Sequence, residues 1–272
     1  MNHLSIERNW LHELRASAAQ PPSLTRQPLW AGTSLIGSVE ADFLGQIDLS
    51  RLFNGREQLL KEERFGVVGW CLHGDTTTGL NQLAAAMRAA GLAGAWRSEQ
   101  LAVLDETGQR VGTIERAAVR PLGITTLAVH LVGQTPDGHF WVQQRAFDKA
   151  NDPGLWDTLM GGMVSASDTT ETALQRETWE EAGLYIDELH HLAWGGRLSV
   201  SRPCSDGNGA GYVQEHIDWY RCTVPDGLTP ENQDGEVEQF CLMESEQLLQ
   251  AIQRGEFTLE AALIFAEIMN LP

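Results

Sequence analysis

The chain has 272 residues, long for one compact domain and comfortable for two. Its 42% hydrophobic and 21% charged residues are an ordinary globular composition. A net charge of −18 argues against nucleic-acid partners, because such a field repels a phosphate backbone. Small anionic substrates stay admissible if a metal ion or local arginines reverse the sign at the site. Lys61 and Lys149 are the only lysines, so that positive charge is almost all arginine. No apolar run reaches the roughly 20 residues of a membrane span. Glu7, Arg8, Glu13 and Arg15 interrupt residues 1–19, which therefore lack a signal-peptide core. The expectation is a cytoplasmic protein with no membrane partner. Cys71, Cys204, Cys222 and Cys241 form no C-x-x-C pair, so neither a zinc ribbon nor a redox motif is indicated.

In chain order, residues 4–19 read as an amphipathic helix stopped by Pro21-Pro22. Residues 40–64 carry mixed helical patterning, and Phe65–His73 reads as a strand. Thr78 is placed to cap a helix running to Leu92, with Gly91 and Gly94 marking its end. Residues 100–104 and 111–114 flank Asp105-Glu106-Thr107-Gly108, a hairpin signal. The pattern changes near Arg120-Pro121, which divides the chain into 1–120 and 121–272. Beyond it, 124–132 and 139–145 are β-rich. A helix spans Thr169–Ala182, strands follow near 193–201, 213–224 and 236–243, and helices cover 245–254 and 259–269. The mixture of strands and helices predicts an α/β sandwich preceded by a smaller α+β unit.

Residues 162–184 carry the chemistry. Asp168 and Glu171 have capping-box spacing, and Gly183 suits a left-handed helix end. Glu177, Glu180 and Glu181 share one helical face near the C-terminus. Mutual repulsion and the macrodipole both disfavour them there. A hard divalent cation would resolve that conflict. Arg176 offsets part of the repulsion through an i,i+4 pair with Glu180. A solvated acidic face is the competing reading of the three acids taken alone.

The whole string, Gly162-x5-Asp168-x7-Arg176-Glu177-Thr178-x-Glu180-Glu181-x-Gly183-Leu184, closely resembles the Nudix box, G-x5-E-x7-R-E-U-x-E-E-x-G-U. It departs at Asp168, where the family has glutamate, and at Thr178, where it has a bulky apolar residue. Residues 95–99, Arg116–Ile124, Val129–Leu131, Arg145, Lys149, Pro153–Asp157 and 234–238 resemble one branch of that family. In it an N-terminal domain precedes a Nudix domain related to the Nudix part of fungal thiamine pyrophosphokinase. The resemblance implies an α/β/α sandwich with a mixed sheet. It implies Mg²⁺, or Mn²⁺, held by Glu177, Glu180, Glu181 and the Gly162 carbonyl, with Arg176 orienting a glutamate. It further implies hydrolysis of a small organic diphosphate, such as a thiamine diphosphate derivative, to the monophosphate.

Around this core, Arg145 and Lys149 are candidates to clamp the diphosphate. Trp156 is a candidate for stacking on the substrate or for anchoring a loop. Glu215, Glu236 and Glu238 are candidate bases besides the box acids. His130, in an apolar strand, reads as a satisfied core histidine. The N-terminal unit is left to shape the pocket or to supply a homodimer contact. The readings that compete are a nucleoside diphosphate derivative as substrate, an isopentenyl diphosphate isomerase using a cysteine, and a non-catalytic ligand-binding module.

Overall fold

The structure, a computed structural model, describes residues 8–49, 52 and 57–269. The first half is built from hairpins. β1 (Arg26–Ala31) pairs with β2 (Ser34–Glu40), and β3 (Gln58–Arg64) pairs with β4 (Val67–His73). A parallel β1–β4 contact joins them in the order β2-β1-β4-β3. α2 (Thr76–Ala89) closes one face of this unit, burying Leu80, Leu83 and Met87 in a core shared with Leu29 and Leu72. The hairpin β5 (Gln100–Leu104) and β6 (Arg110–Glu115) follows, its turn held by Asp105 accepting the Thr107 and Gln109 N–H groups.

Three expectations change in this half. The helical patterning of 40–64 resolves into a 3-10 turn, Leu44–Gln46, and strand β3. Pairing from Gln58↔His73 to Arg64↔Val67 satisfies that backbone in a sheet, so tertiary partners override local preference. Residues 50–51 and 53–56 lie outside the described residues, as do residues 4–7 of the expected first helix. α2 is capped by Asp75, whose Oδ1 accepts the Thr78 N–H at 2.8 Å, so Thr78 is the capped residue. The clean division at residue 121 also gains an exception. α1 (Arg8–Ser17) packs Trp10 and Leu14 on the core of the second half, and Ala18 and Gln20 hydrogen-bond across to Ser201.

The second half is a seven-stranded mixed sheet. β7 (Thr126–Gln134) runs parallel to β12 (Gly211–Thr223) and antiparallel to β10 (Met160–Met163). β8 (Phe140–Arg145), β9 (Trp156–Asp157), β11 (His190–Cys204) and β13 (Val237–Met243) extend it. Alternation along β7 sets the layers. Val129 and Leu131 face α3 (Thr170–Ala182), where they meet Ala173, Leu174 and Ala182. Ala128 and Val132 face the other way, toward α4 (Ser245–Gln253) and α5 (Leu259–Ile268). The result is the expected α/β/α sandwich behind an α+β unit. Among the described residues no helix is long and apolar enough to cross a membrane.

Candidate active site

Local chemistry sets both ends of α3. Thr169 is the cap: its Oγ1 accepts the Thr172 N–H at 3.2 Å, while the Thr172 hydroxyl accepts the Thr169 N–H at 2.8 Å. Asp168 is therefore not the cap. Its Oδ2 accepts from Arg176 Nε at 3.0 Å and Nη2 at 2.8 Å. Gly183 ends the helix at φ 64°, the left-handed region expected of it. Thr178 is fully buried and bonds its hydroxyl back to the Leu174 carbonyl at 2.6 Å, which satisfies a polar group at a position suited to an apolar one.

The three acids occupy different environments. Glu181 is 3% exposed, and its Oε2 accepts the Gly161 N–H at 3.0 Å and Gln143 Nε2 at 2.8 Å. Burial pushes its pKa up to about 8, against the pull of the Gly161 N–H. Glu177 accepts from Arg176 Nη1 at 2.9 Å, yet burial still pushes it up to about 7. Glu180 Oε2 accepts from the same Nη1 at 2.8 Å. Burial alone would lower the Arg176 pKa, but Glu177, Asp168 and Glu180 together raise it. Arg176 thus orients three carboxylates, where the sequence suggested one.

Backbone glycines bring these acids to the sheet. A Cβ on Gly162 would collide with the Glu177 carboxylate, and one on Gly161 would collide with the His130 ring. The donors gathered here are carboxylate and carbonyl oxygens, the set hard Mg²⁺ prefers. Two of the carboxylates are held in a dry setting that disfavours their charge, which a divalent cation would reverse. The residues present therefore fit such an ion. The ligating atoms of Glu177, Glu180 and Glu181 do not all lie within 4.8 Å of one another, and Glu180 is not on the cavity wall, so the three acids do not converge as a trio. Among the described residues, one group of His, Cys or acidic side chains has all its ligating atoms within 4.8 Å: Glu62, Cys71 and His73. Arg64 stands inside that group, 2.7 Å from Glu62 Oε2 and 2.8 Å from Cys71 Sγ.

A cavity of about 400 Å³ opens beside Gly161, Gly162, Glu177 and Glu181. It takes in Arg145, Lys149, Glu215 and Glu236 from the sequence-derived set. Lys149 pairs with Glu236, and that bond holds the Glu236 pKa down although burial opposes it. Arg145 Nη1 lies 3.6 Å from Asp157, and its buried Nε has no partner. Glu215 accepts the Thr126 hydroxyl at 2.8 Å. His130 is buried and bonds Thr158 at 2.9 Å, the satisfied histidine expected, although its edge reaches the cavity.

Two candidates lie elsewhere. Glu238 is exposed on β13, because its neighbour Val237 takes the inward position. Trp156 is absent from the cavity wall. It packs on the α4–α5 core while its backbone bonds Glu256 and Thr258. Sequence reasoning missed Arg116, Arg120, Arg202, Asp157 and Glu260, which also line the cavity. Asp157 adjoins Trp156 in a motif already singled out, and Arg116–Arg120 lies in the branch-like segment. Nothing local marks Arg202 or Glu260, which meet at 3.5 Å across distant elements.

The model of the NUDIX domain family matches residues 124–263, more than half of the chain. The chain belongs to the Nudix family. An uncharacterized protein of Saccharomyces cerevisiae is 28% identical over 191 residues, covering 64% of this chain and 54% of that protein. The chloroplastic Nudix hydrolase 20 of Arabidopsis thaliana is 28% identical over 151 residues, covering 53% of this chain and 38% of that protein. The chain thus spans about half or less of the length of these two relatives. A crystal structure from Deinococcus radiodurans, DR0079, is similar at 23% identity and a TM-score of 0.48, covering 62% of this chain and 98% of that one.

Proposed function

We propose that the chain is a Mg²⁺-dependent hydrolase that cleaves the diphosphate linkage of a small organic diphosphate and releases the monophosphate. The observation that carries this reading is the pair of buried Glu181 and half-buried Glu177, packed against Gly161-Gly162 on the wall of a cavity that also bears cations. Glu177 and Glu181, with the Gly162 carbonyl and Glu180 once released from Arg176, would hold the ion. When bound, Mg²⁺ (or Mn²⁺) supplies charge neutralisation and polarisation of the diphosphate.

The chain's own groups do the rest. Arg145 and Lys149 line the same cavity and would offer hydrogen-bond donors to the diphosphate, and the buried Arg145 Nε is a donor awaiting an acceptor. Arg176 keeps the box acids aimed. Glu236 is favoured as the base that takes a proton from the attacking water: it is close enough to Glu177 for their charges to couple, and Lys149 keeps it ionised. Glu215 stands with Thr126 and feels Glu260, which suits it to the organic part of the substrate. None of the described wall residues is Phe, Tyr or Trp, and the His130 imidazole reaches the cavity only by its edge, so a ring in the cavity would be held mainly by its edge atoms.

The likeness outside the box, at residues 95–99, 116–124 and 153–157, supports a thiamine diphosphate derivative as the substrate. The test is monophosphate release from a panel of diphosphates, including thiamine diphosphate and its oxidised analogues, with Glu181→Gln as control. Turnover by wild type alone supports the reading; equal turnover by the variant, or none by either, rejects it.

A further inference from the structure

The family match begins at residue 124, yet one wall of the cavity comes from residues before it. Arg116 opens the 3-10 turn Arg116–Ala118, and the first unit fixes it from several sides. Its N–H donates to the Glu99 carbonyl at 2.8 Å. Glu115, 2% exposed, caps the turn through the Ala117 N–H and also accepts the Arg97 N–H at 3.0 Å. The Glu115 N–H in turn bonds Asn81 Oδ1 on α2 at 3.1 Å, and Gly94 bonds the Ala117 carbonyl at 2.8 Å. A buried carboxylate accepting two backbone N–H groups and three further bonds from backbone N–H groups thus position a side chain that lines the cavity.

The charges there show what that side chain is free to do. Five cations and seven carboxylates line the cavity, so a diphosphate would enter a net negative space without further help. Most of the cations are already engaged within it: Arg145 by Asp157, Lys149 by Glu236 and Arg202 by Glu260. Arg116 pairs with Glu99, a residue outside the wall, through Nη1 at 2.7 Å. Its Nε and Nη2 have no partner among the described residues. It shares the cavity wall with Glu236 and Glu177, and its charge acts on Glu236.

We infer that Arg116 is a diphosphate-binding residue supplied by the N-terminal unit, so that the Nudix segment is incomplete as an active site without it. This rests on the diphosphate-hydrolase reading and deepens it. The guanidinium fork suits two phosphate oxygens, while Glu99 holds the third edge and sets its direction. Asn81, Glu99 and Glu115 are positioning residues for that fork.

The test is calorimetric binding of methylenediphosphonate, a non-hydrolysable diphosphate, to the full chain with Mg²⁺. Thermal unfolding is read on every variant. Arg116→Ala is expected to weaken binding about 10- to 100-fold. Arg116→Lys keeps a charge and the reach to Glu99 but loses the fork, so it should show a smaller loss at an unchanged Tm. It keeps the test decisive if the alanine variant unfolds. Arg254→Ala, which removes an arginine outside the cavity, should bind like wild type. If the Arg116 variants bind like wild type while Glu181→Gln loses binding, the inference falls and the hydrolase reading stands. If wild type itself binds no diphosphonate with Mg²⁺, the hydrolase reading falls and takes the inference with it.

Discussion

Two groups of metal-ligating side chains in this molecule differ in their electrostatics. On the β3–β4 hairpin, Glu62 lies between Arg64 and His73, with Cys71 beside them. These atoms are close enough for a metal ion, yet the hydrogen bonds from His73 and Arg64 hold the Glu62 carboxyl below its ordinary range. Its charge is already matched. On α3, Glu177 and Glu181 are less compactly gathered, but burial drives both upward and Arg176 offsets only part of it. Unmet demand for positive charge, more than closeness of ligand atoms, is what favours the box as the place for the proposed cation.

The sharpest way to break this comparison is at Glu181. Glu181→Gln should lower Mg²⁺-dependent turnover by at least about 100-fold, read as kcat/KM on the best substrate of the panel. Glu62→Gln should leave turnover intact; the reverse result would reassign the site. Next in size is Gly162→Ala. The new methyl group must displace the Glu177 carboxylate, at a cost of about 1–3 kcal/mol by the usual penalty for overpacking. A lower Tm together with lost Mg²⁺ stabilisation is expected, and an unchanged Mg²⁺ response would separate Glu177 from the ion.

Arg176→Ala should also lower Tm by a few degrees, since it leaves Asp168, Glu177 and Glu180 without their shared partner. Mg²⁺ should restore more stability to this variant than to wild type.

The pH dependence of metal-free stability should differ in sign between the clusters. A carboxyl whose folded pKa is raised destabilises as it ionises. Stability associated with Glu177 and Glu181 is therefore full below about 4.5 and lost as pH rises through about 7 and 8. Glu62, with a lowered folded pKa, contributes above its ordinary range and loses that contribution as pH falls. Tm against pH for wild type, Glu181→Gln and Glu62→Gln checks both slopes: the first variant should flatten the alkaline fall and the second the acid fall. The smallest effect is expected from Cys71→Ser, which should leave Zn²⁺ and Mg²⁺ binding unchanged because Arg64 already fills the cluster.

What the sequence by itself determined lies within one or two turns of chain. The α3 span, its left-handed Gly183, the shared face of Glu177, Glu180 and Glu181, the β5–β6 hairpin and the β character of residues 124–132 all follow from spacing, composition and local hydrogen bonds. The box likeness is carried by the same short stretch. The tertiary structure decided what those local patterns meet. Asp168 and Thr169 are adjacent and equally able to cap, and the choice fell to Thr169 because Arg176, two turns on, claims Asp168. Residues 58–64 became a strand because β4 offered partners, and α1 crossed to the second half because α5 offered an apolar face. Trp156 turned into that same apolar layer, leaving Asp157 for the cavity. The cavity itself draws Arg116, Arg145, Glu177, Arg202 and Glu260 from five separate elements. A helix period or a cap is written in neighbouring residues, whereas which cation faces which carboxylate depends on how distant segments pack, and that depends on the fold as a whole.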